Sequence, residues 1–126
     1  EAAGFVMVGK SLIAVGEQYL VLKLEKSRAS LVLLEKENLT VSAESKDALS
    51  PWGDVLYIPG TGIYGTVLID GVSYVGRFNE QLVLEKRSVL PVDKASAFKV
   101  LDSVIYVQRT DGRIAGLALK DLTSVK

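Results

Sequence analysis

Five aspartates, Asp54, Asp70, Asp102, Asp111 and Asp121, fall where apolar runs end and turns are expected. Two carboxylates brought together could act as acid and base, or bind a hard cation such as calcium or magnesium. A loop built for such an ion carries a D-x-D-x-D-G run, which this chain lacks. Aspartate also bonds its own neighbouring backbone, and Asp-Gly at 70–71 and 111–112 is most simply turn chemistry. Capping is the expected role of these residues, and no metal or other cofactor is assigned.

Nucleophile chemistry has few residues to draw on. There is no cysteine and no histidine, which removes thiol nucleophiles, Ser-His-Asp arrangements, disulfides and zinc sites built on either residue. A serine–lysine pair remains conceivable at Ser11 with Lys10, or Ser27 with Lys26. Neighbours along a strand point to opposite faces, so these pairs would not meet. The expectation is a protein that is not an enzyme.

Gly60-Thr-Gly-Ile-Tyr-Gly65 spells G-x-G-x-x-G, and Val67 extends it to the form seen in kinase glycine loops. A dinucleotide site needs a helix straight after the glycines, its N-terminus facing the pyrophosphate. Thr66-Val-Leu-Ile-Asp-Gly71 reads instead as a strand. The chain also has no H-R-D or D-F-G segment. The glycines are expected to serve backbone geometry, supplying positive φ and a bend.

Nine aromatic residues leave one further possibility, the stacking of bases or sugars. Trp52, Tyr57, Tyr64, Tyr74 and Phe78, with Arg77, form the candidate binding set for a single-stranded nucleic acid. Such rings more often fill a small β core and its rim. Charge weighs against nucleic acid, since 15 basic residues balance 15 acidic ones. Lys23, Lys26, Arg28, Lys86, Arg87, Arg109 and Arg113 are interleaved with Glu and Asp, as on a solvated sheet face.

The elements that must position these residues are strands. Apolar residues make up 48% of the 126 positions, mostly Val, Leu and Ile in short runs. None approaches the roughly 20 residues of a membrane helix. Residues 1–10 lack a basic stretch before a long apolar one, so a cytoplasmic location is expected, although the chain opens on Glu1. Two Asn, three Gln and no Cys give a thermophile-like composition.

Strands are expected at Phe5–Val8, Leu12–Val15, Tyr19–Lys26, Leu31–Lys36, Leu39–Ala43, Val55–Ile58, Tyr64–Ile69, Val72–Val75, Leu82–Leu84, Asp102–Val107 and Ile114–Asp121. Gly76-Arg77 and Asn79-Glu80 read as bends, Glu44–Pro51 as a loop with room for one helical turn, and Ser88–Val92 as an edge or connection because of Pro91. Lys94–Leu101 leans towards strand. An amphipathic helix over residues 17–37 is the main competitor. Leu20-Val-Leu22 and Leu31-Val-Leu-Leu34 would place apolar groups all round it, which favours strands.

Two internal similarities bear on architecture. Glu17–Ser27 resembles Glu80–Ser88, and Val55-Leu-Tyr-Ile58 resembles Val104-Ile-Tyr-Val107. They suggest one all-β domain over 1–126, with duplicated halves at about 5–70 and 71–121, folded as a compact antiparallel β-barrel or two-sheet sandwich of repeated hairpins. The alternative is a three-unit trefoil or propeller-like arrangement.

The function expected is binding or assembly, through strand edges that pair with a second copy or another protein chain. The edges at Phe5–Val8 and Leu119–Val125 nominate Val6, Val8, Leu122 and Val125. Single-stranded nucleic-acid binding through the aromatic set is the alternative. A small-ligand pocket rimmed by Asp54, Tyr64 and Asp70 is a third.

Overall fold

Alternating apolar and polar residues make strands, and short glycine, aspartate or serine turns fold them back on their neighbours. A computed structural model describes residues 6–126, apart from the side chains of Val6 and of residues 9–11. Among the described residues there are eleven strands and no helix. β1 (Val6–Val15), β2 (Gln18–Glu25), β3 (Arg28–Glu35) and β4 (Val41–Glu44) form one antiparallel sheet in chain order. β5 (Val55–Ile58), β6 (Gly62–Ile69), β7 (Val72–Phe78) and β8 (Leu84–Arg87) form a second in the same way. β9 (Lys99–Leu101), β10 (Val104–Gln108) and β11 (Ile114–Ala118) form a third. The all-β expectation is met, as three open antiparallel sheets.

Residues 17–37 show why the helix loses. Leu20, Val21 and Leu22, then Leu31 through Leu34, are all buried. A strand covered on both faces carries an unbroken apolar run of this kind. The β2–β3, β6–β7 and β9–β10 turns each have two central residues, both at positive φ: Lys26 and Ser27, Asp70 and Gly71, Asp102 and Ser103. That is the type I′ geometry whose twist matches the flanking strands.

Several local expectations are corrected. Phe5 lies outside the described residues, and from Val6 to Val15 there is one strand whose register shifts between Val8 and Ile13. Gly76 and Arg77 do not bend the chain, because both pair with β8 inside β7. The strand expected at Leu82–Leu84 begins at Leu84 and runs to Arg87. Of Lys94–Leu101, only Lys99–Leu101 is strand. The Glu44–Pro51 loop contains an isolated β-bridge instead of a helical turn.

That bridge joins the sheets. Leu49 lies between Ala29 at the start of β3 and Val67 in β6, and its N–H donates to the Ala29 carbonyl at 2.9 Å. Val92 stands in the same relation to the next pair of sheets: its N–H donates to Ser73 of β7 at 2.9 Å, and it bridges to Arg109 beyond β10. A buried serine starts each linker. Ser45 Oγ accepts from the Leu31 N–H at 3.0 Å and donates to the Asp47 carbonyl. Ser88 Oγ accepts from Val75 N–H at 3.1 Å and donates to the Leu90 carbonyl.

Two cores result. Leu20, Leu22, Leu31 and Leu33 of the first sheet meet Ile63, Val67 and Phe78 of the second around Leu49. Tyr64 and Val75, on the second sheet's other face, meet Ile105, Val107, Ala115 and Leu117 of the third around Val92. The second sheet is therefore buried on both sides.

The first sheet's outer face carries a charged cluster over Val21, Val32 and Leu34. Glu44 accepts from Lys23 Nζ at 2.6 Å and from Ser30 Oγ at 2.9 Å. The Lys23 bond, with help from Ser30, holds the Glu44 carboxyl below its usual pKa against the opposing effect of burial. The unfolded chain therefore binds this proton more tightly. The contribution is present above the ordinary carboxylate pKa of 4.5 and is lost as pH falls through the depressed folded value. Glu44→Gln should unfold at lower urea than the parent at neutral pH, with the gap closing in acid; a pH-independent gap would refute this.

Leu49→Ala should cost about 2–5 kcal/mol, since it empties the first core at the point where two sheets join. Leu39→Ala, on an exposed turn, should shift the urea midpoint little. Equal shifts would show that Leu49 is not a structural joint.

Candidate functional site

The candidate aromatic set is divided by the fold. Tyr64 lies in the second core and donates its hydroxyl proton to the Leu119 carbonyl at 2.7 Å. Burial raises its pKa, with Arg77 acting in the opposite sense. Phe78 fills the first core. Neither ring offers a face to a ligand. Trp52 is 63% exposed in the linker after the first sheet, with Lys94 Nζ 4.6 Å from its ring centroid. Tyr57 is half-buried and donates to Glu80 Oε2 at 3.2 Å. Tyr74 carries the Arg87 guanidinium 4.2 Å from its centroid. Arg77 donates to the Thr61 carbonyl and faces Glu85 at 3.9 Å. Each accessible ring already has a protein partner, and the six residues do not form one stacking platform.

The carboxylates cap and tie backbone. Asp54 accepts from its neighbour Val55 N–H with one oxygen and from Phe98 N–H with the other, both at 2.9 Å, joining the two linkers. Asp111 accepts from Arg113 N–H, and Asp121 from both Thr123 N–H and its hydroxyl. Asp54 also lines a hollow of about 560 Å³ with Val8, Leu22, Trp52 and Ala97, but Tyr64 and Asp70 are not among its lining residues. In the glycine motif, Gly60 does supply positive φ. Gly65 serves close packing instead: a Cβ there would come within 2.7 Å of Leu49 Cδ2.

The candidate edge residues are divided as well. Val6 pairs with Leu24 through its backbone, and its side chain lies outside the described residues. Val8 is half-buried against the first core. Leu122 is in the second core, not on an edge. Val125 is half exposed, and its N–H donates to the Gly116 carbonyl at 2.9 Å. The chain from Thr123 onward thus covers the outer edge of β11.

An open surface emerges when the three sheets are superimposed by their turns. After β3, β7 and β11 comes a leucine at positive φ: Leu39 (57°), Leu82 (62°) and Leu122 (64°). Their N–H groups donate to Glu35, Asn79 and Ala118, whose own N–H groups donate to Thr40, Val83 and Thr123. That shared pair of bonds makes Glu35, Asn79 and Ala118 equivalent. Four residues earlier on each strand stand Leu31, Val75 and Ile114. Leu31 and Val75 are 0% exposed because the next sheet covers them, whereas Ile114 is 76% exposed.

Strand register places Leu101, Val104, Tyr106 and Ala118 on the same face as Ile114, and the Gly116 pairing adds Lys126, whose Cβ lies 3.2 Å from where a Cβ on Gly116 would stand. Leu101 is 60% exposed. The polar side chains on this face include Lys99, Gln108, Thr123 and Lys126. None of Leu101, Val104, Tyr106 or Ile114 was nominated from sequence. A signal was available: Ile114-Ala-Gly-Leu-Ala118 is apolar at every position, the pattern of a strand covered on both faces. Only one of its faces is covered here.

Compared with known proteins, the chain matches no protein-family model, no curated protein and no solved structure.

Tyr64→Phe should lower stability by about 0.5–1.5 kcal/mol, the usual net worth of a lost hydrogen bond. A stability equal to the parent's in urea denaturation would mean that the Leu119 carbonyl finds another donor.

Proposed function

We propose that this chain is a non-enzymatic association module that receives a further β-sheet on the open face of its third sheet. The observation that carries this reading is Ile114, exposed where its counterparts Leu31 and Val75 are sealed under the following sheet. In this view the three sheets are one unit used three times. Each is a meander with a left-handed leucine after its third strand, and the first two are each followed by a serine-initiated linker carrying a bridging residue. The face on which each of the first two receives its neighbour is, on the third, still open.

A contiguous apolar patch rimmed by polar groups is the usual mark of an association surface. Full burial of a side chain such as Ile114 or Leu101 is worth about 1.5–3 kcal/mol, so two or three of them supply a useful driving force. This reading keeps the assembly role expected from sequence and moves it from the strand edges to a sheet face. The edge of β11 is already occupied by the segment from Thr123 onward.

An apolar fluorescent dye, anilinonaphthalene sulfonate, tests the surface at low protein concentration. The parent should enhance its emission, and Ile114→Lys should reduce that enhancement severalfold while leaving the circular dichroism spectrum unchanged. Equal dye binding by parent and variant would count against this face.

A further inference from the structure

We infer that the hollow of about 560 Å³ where both linkers meet the first sheet is a small-molecule site. The ligand it fits is a neutral aromatic molecule that donates a hydrogen bond, a phenol being the simplest example. This inference goes beyond the association reading and shares no residue with the third-sheet face. The volume lies within the roughly 300–1,000 Å³ of such sites, whose walls are mostly apolar. Here Val8 and Leu22 come from the first sheet, Trp52 and Val55 from the first linker and β5, and Ala95 and Ala97 from the second linker.

The hollow is preformed, because bonds within the chain hold it open. Asp54 ties one linker to the other through the Phe98 amide, and Ser50 Oγ donates to the Lys94 carbonyl at 2.7 Å. Gly53 lies flush on β6, where a Cβ would come within 2.7 Å of the Thr66 side chain.

What the wall offers a ligand is acceptor capacity. Trp52 N–H donates to Ser50 Oγ, Gly53 N–H to the Ser50 carbonyl, and Val55 N–H to Asp54. The Ala95 and Ser96 amides both donate to Asp93, and the Ser96 hydroxyl gives its proton to the Ala97 carbonyl. Those donors are spent. Each Asp54 oxygen accepts one amide, whereas a carboxylate has about four acceptor positions, so the Asp54 side chain retains room for a ligand's donor. An anionic acceptor would meet that carboxylate with no free side-chain donor on the wall to offset it. Lys94 Nζ, 4.6 Å from the Trp52 centroid, sets a positive charge beside the hollow and so disfavours a cation. A neutral donor fits both conditions. The aromatic body follows from the exposed Trp52 ring, against which a second ring can pack offset or edge-on.

Trp52 is the single tryptophan of the chain, so its indole N–H gives one identifiable signal in a proton–nitrogen correlation spectrum. Titrating p-cresol into the labelled full chain should shift that signal saturably, with a dissociation constant on the order of 1 mM for so small a ligand. The methyl ether of p-cresol, which lacks the donor, should bind at least about tenfold more weakly, the worth of a hydrogen bond to a charged group. The anion p-toluate should bind no better than the ether. Ala95→Leu, which fills the hollow from an exposed position and keeps the amide bond to Asp93, should weaken p-cresol binding severalfold. Ile114→Lys should bind p-cresol like the parent. No saturable shift up to roughly 10 mM p-cresol overturns the inference. Equal binding of p-cresol and either its ether or p-toluate also overturns it. Binding lost in Ile114→Lys but kept in Ala95→Leu does the same, and places the ring on the third-sheet face instead.

Discussion

Leu49 and Val92 each insert one residue between two sheets, bonding to the sheet the chain has just left and bridging to the one it is about to build. The rest of the molecule depends on those two contacts. A four-stranded meander with apolar residues on both faces is unstable alone, because burying one face leaves the other in water. The bridging residue holds the next meander at the spacing where the two faces meet. The middle sheet consequently holds Phe78 in one core and Tyr64 in the other, from positions on adjacent strands of the same sheet.

The polar groups of the linkers support this joint. A linker running between two sheets buries backbone N–H and C=O groups, and each must find a partner. Ser45 and Ser88 do this at equivalent places, each accepting from one strand amide and donating to a carbonyl two residues ahead. Asp54 then fastens the first linker to the second through the Phe98 amide. Gly65 lets β6 approach Leu49 more closely than any residue with a Cβ would. Asp54 and Gly65, both singled out in the sequence for possible ligand chemistry, thus take part in the attachment between sheets. The face of the third sheet turned away from the second has no such partner sheet among the described residues.

Much of the strand content was legible because it depends on contacts between near neighbours. Continuous apolar runs at 20–22 and 31–34 weighed against an amphipathic helix, and Asp70-Gly71 announced a turn. The turns at Lys26-Ser27 and Asp102-Ser103 were harder, because they place ordinary residues at positive φ where no glycine marks them. Gly76-Arg77 read as a bend because glycine is a turn residue. Inside β7 that glycine answers to packing: a Cβ there would fall 2.8 Å from Leu84 Cδ1 and 2.9 Å from Val67 Cγ1.

Sequence by itself determined the class of structure, eleven short segments that prefer extended backbone and pair through tight turns, together with the absence of cysteine and histidine chemistry. It also pointed to the cap at Asp111, which accepts from the Arg113 amide two residues on, whereas the second bond of Asp54, to the Phe98 amide, is set by the fold. Only the tertiary structure decided which apolar residues are core and which are surface. Leu31, Val75 and Ile114 occupy the same place in three similar strands, and nothing local distinguishes them. Two are sealed and one is open because burial depends on what lies about 10 Å above a sheet face, a distance across which neighbouring residues carry no information. Tyr64 and Trp52 separate for the same reason, one ring enclosed between sheets and the other left on a linker.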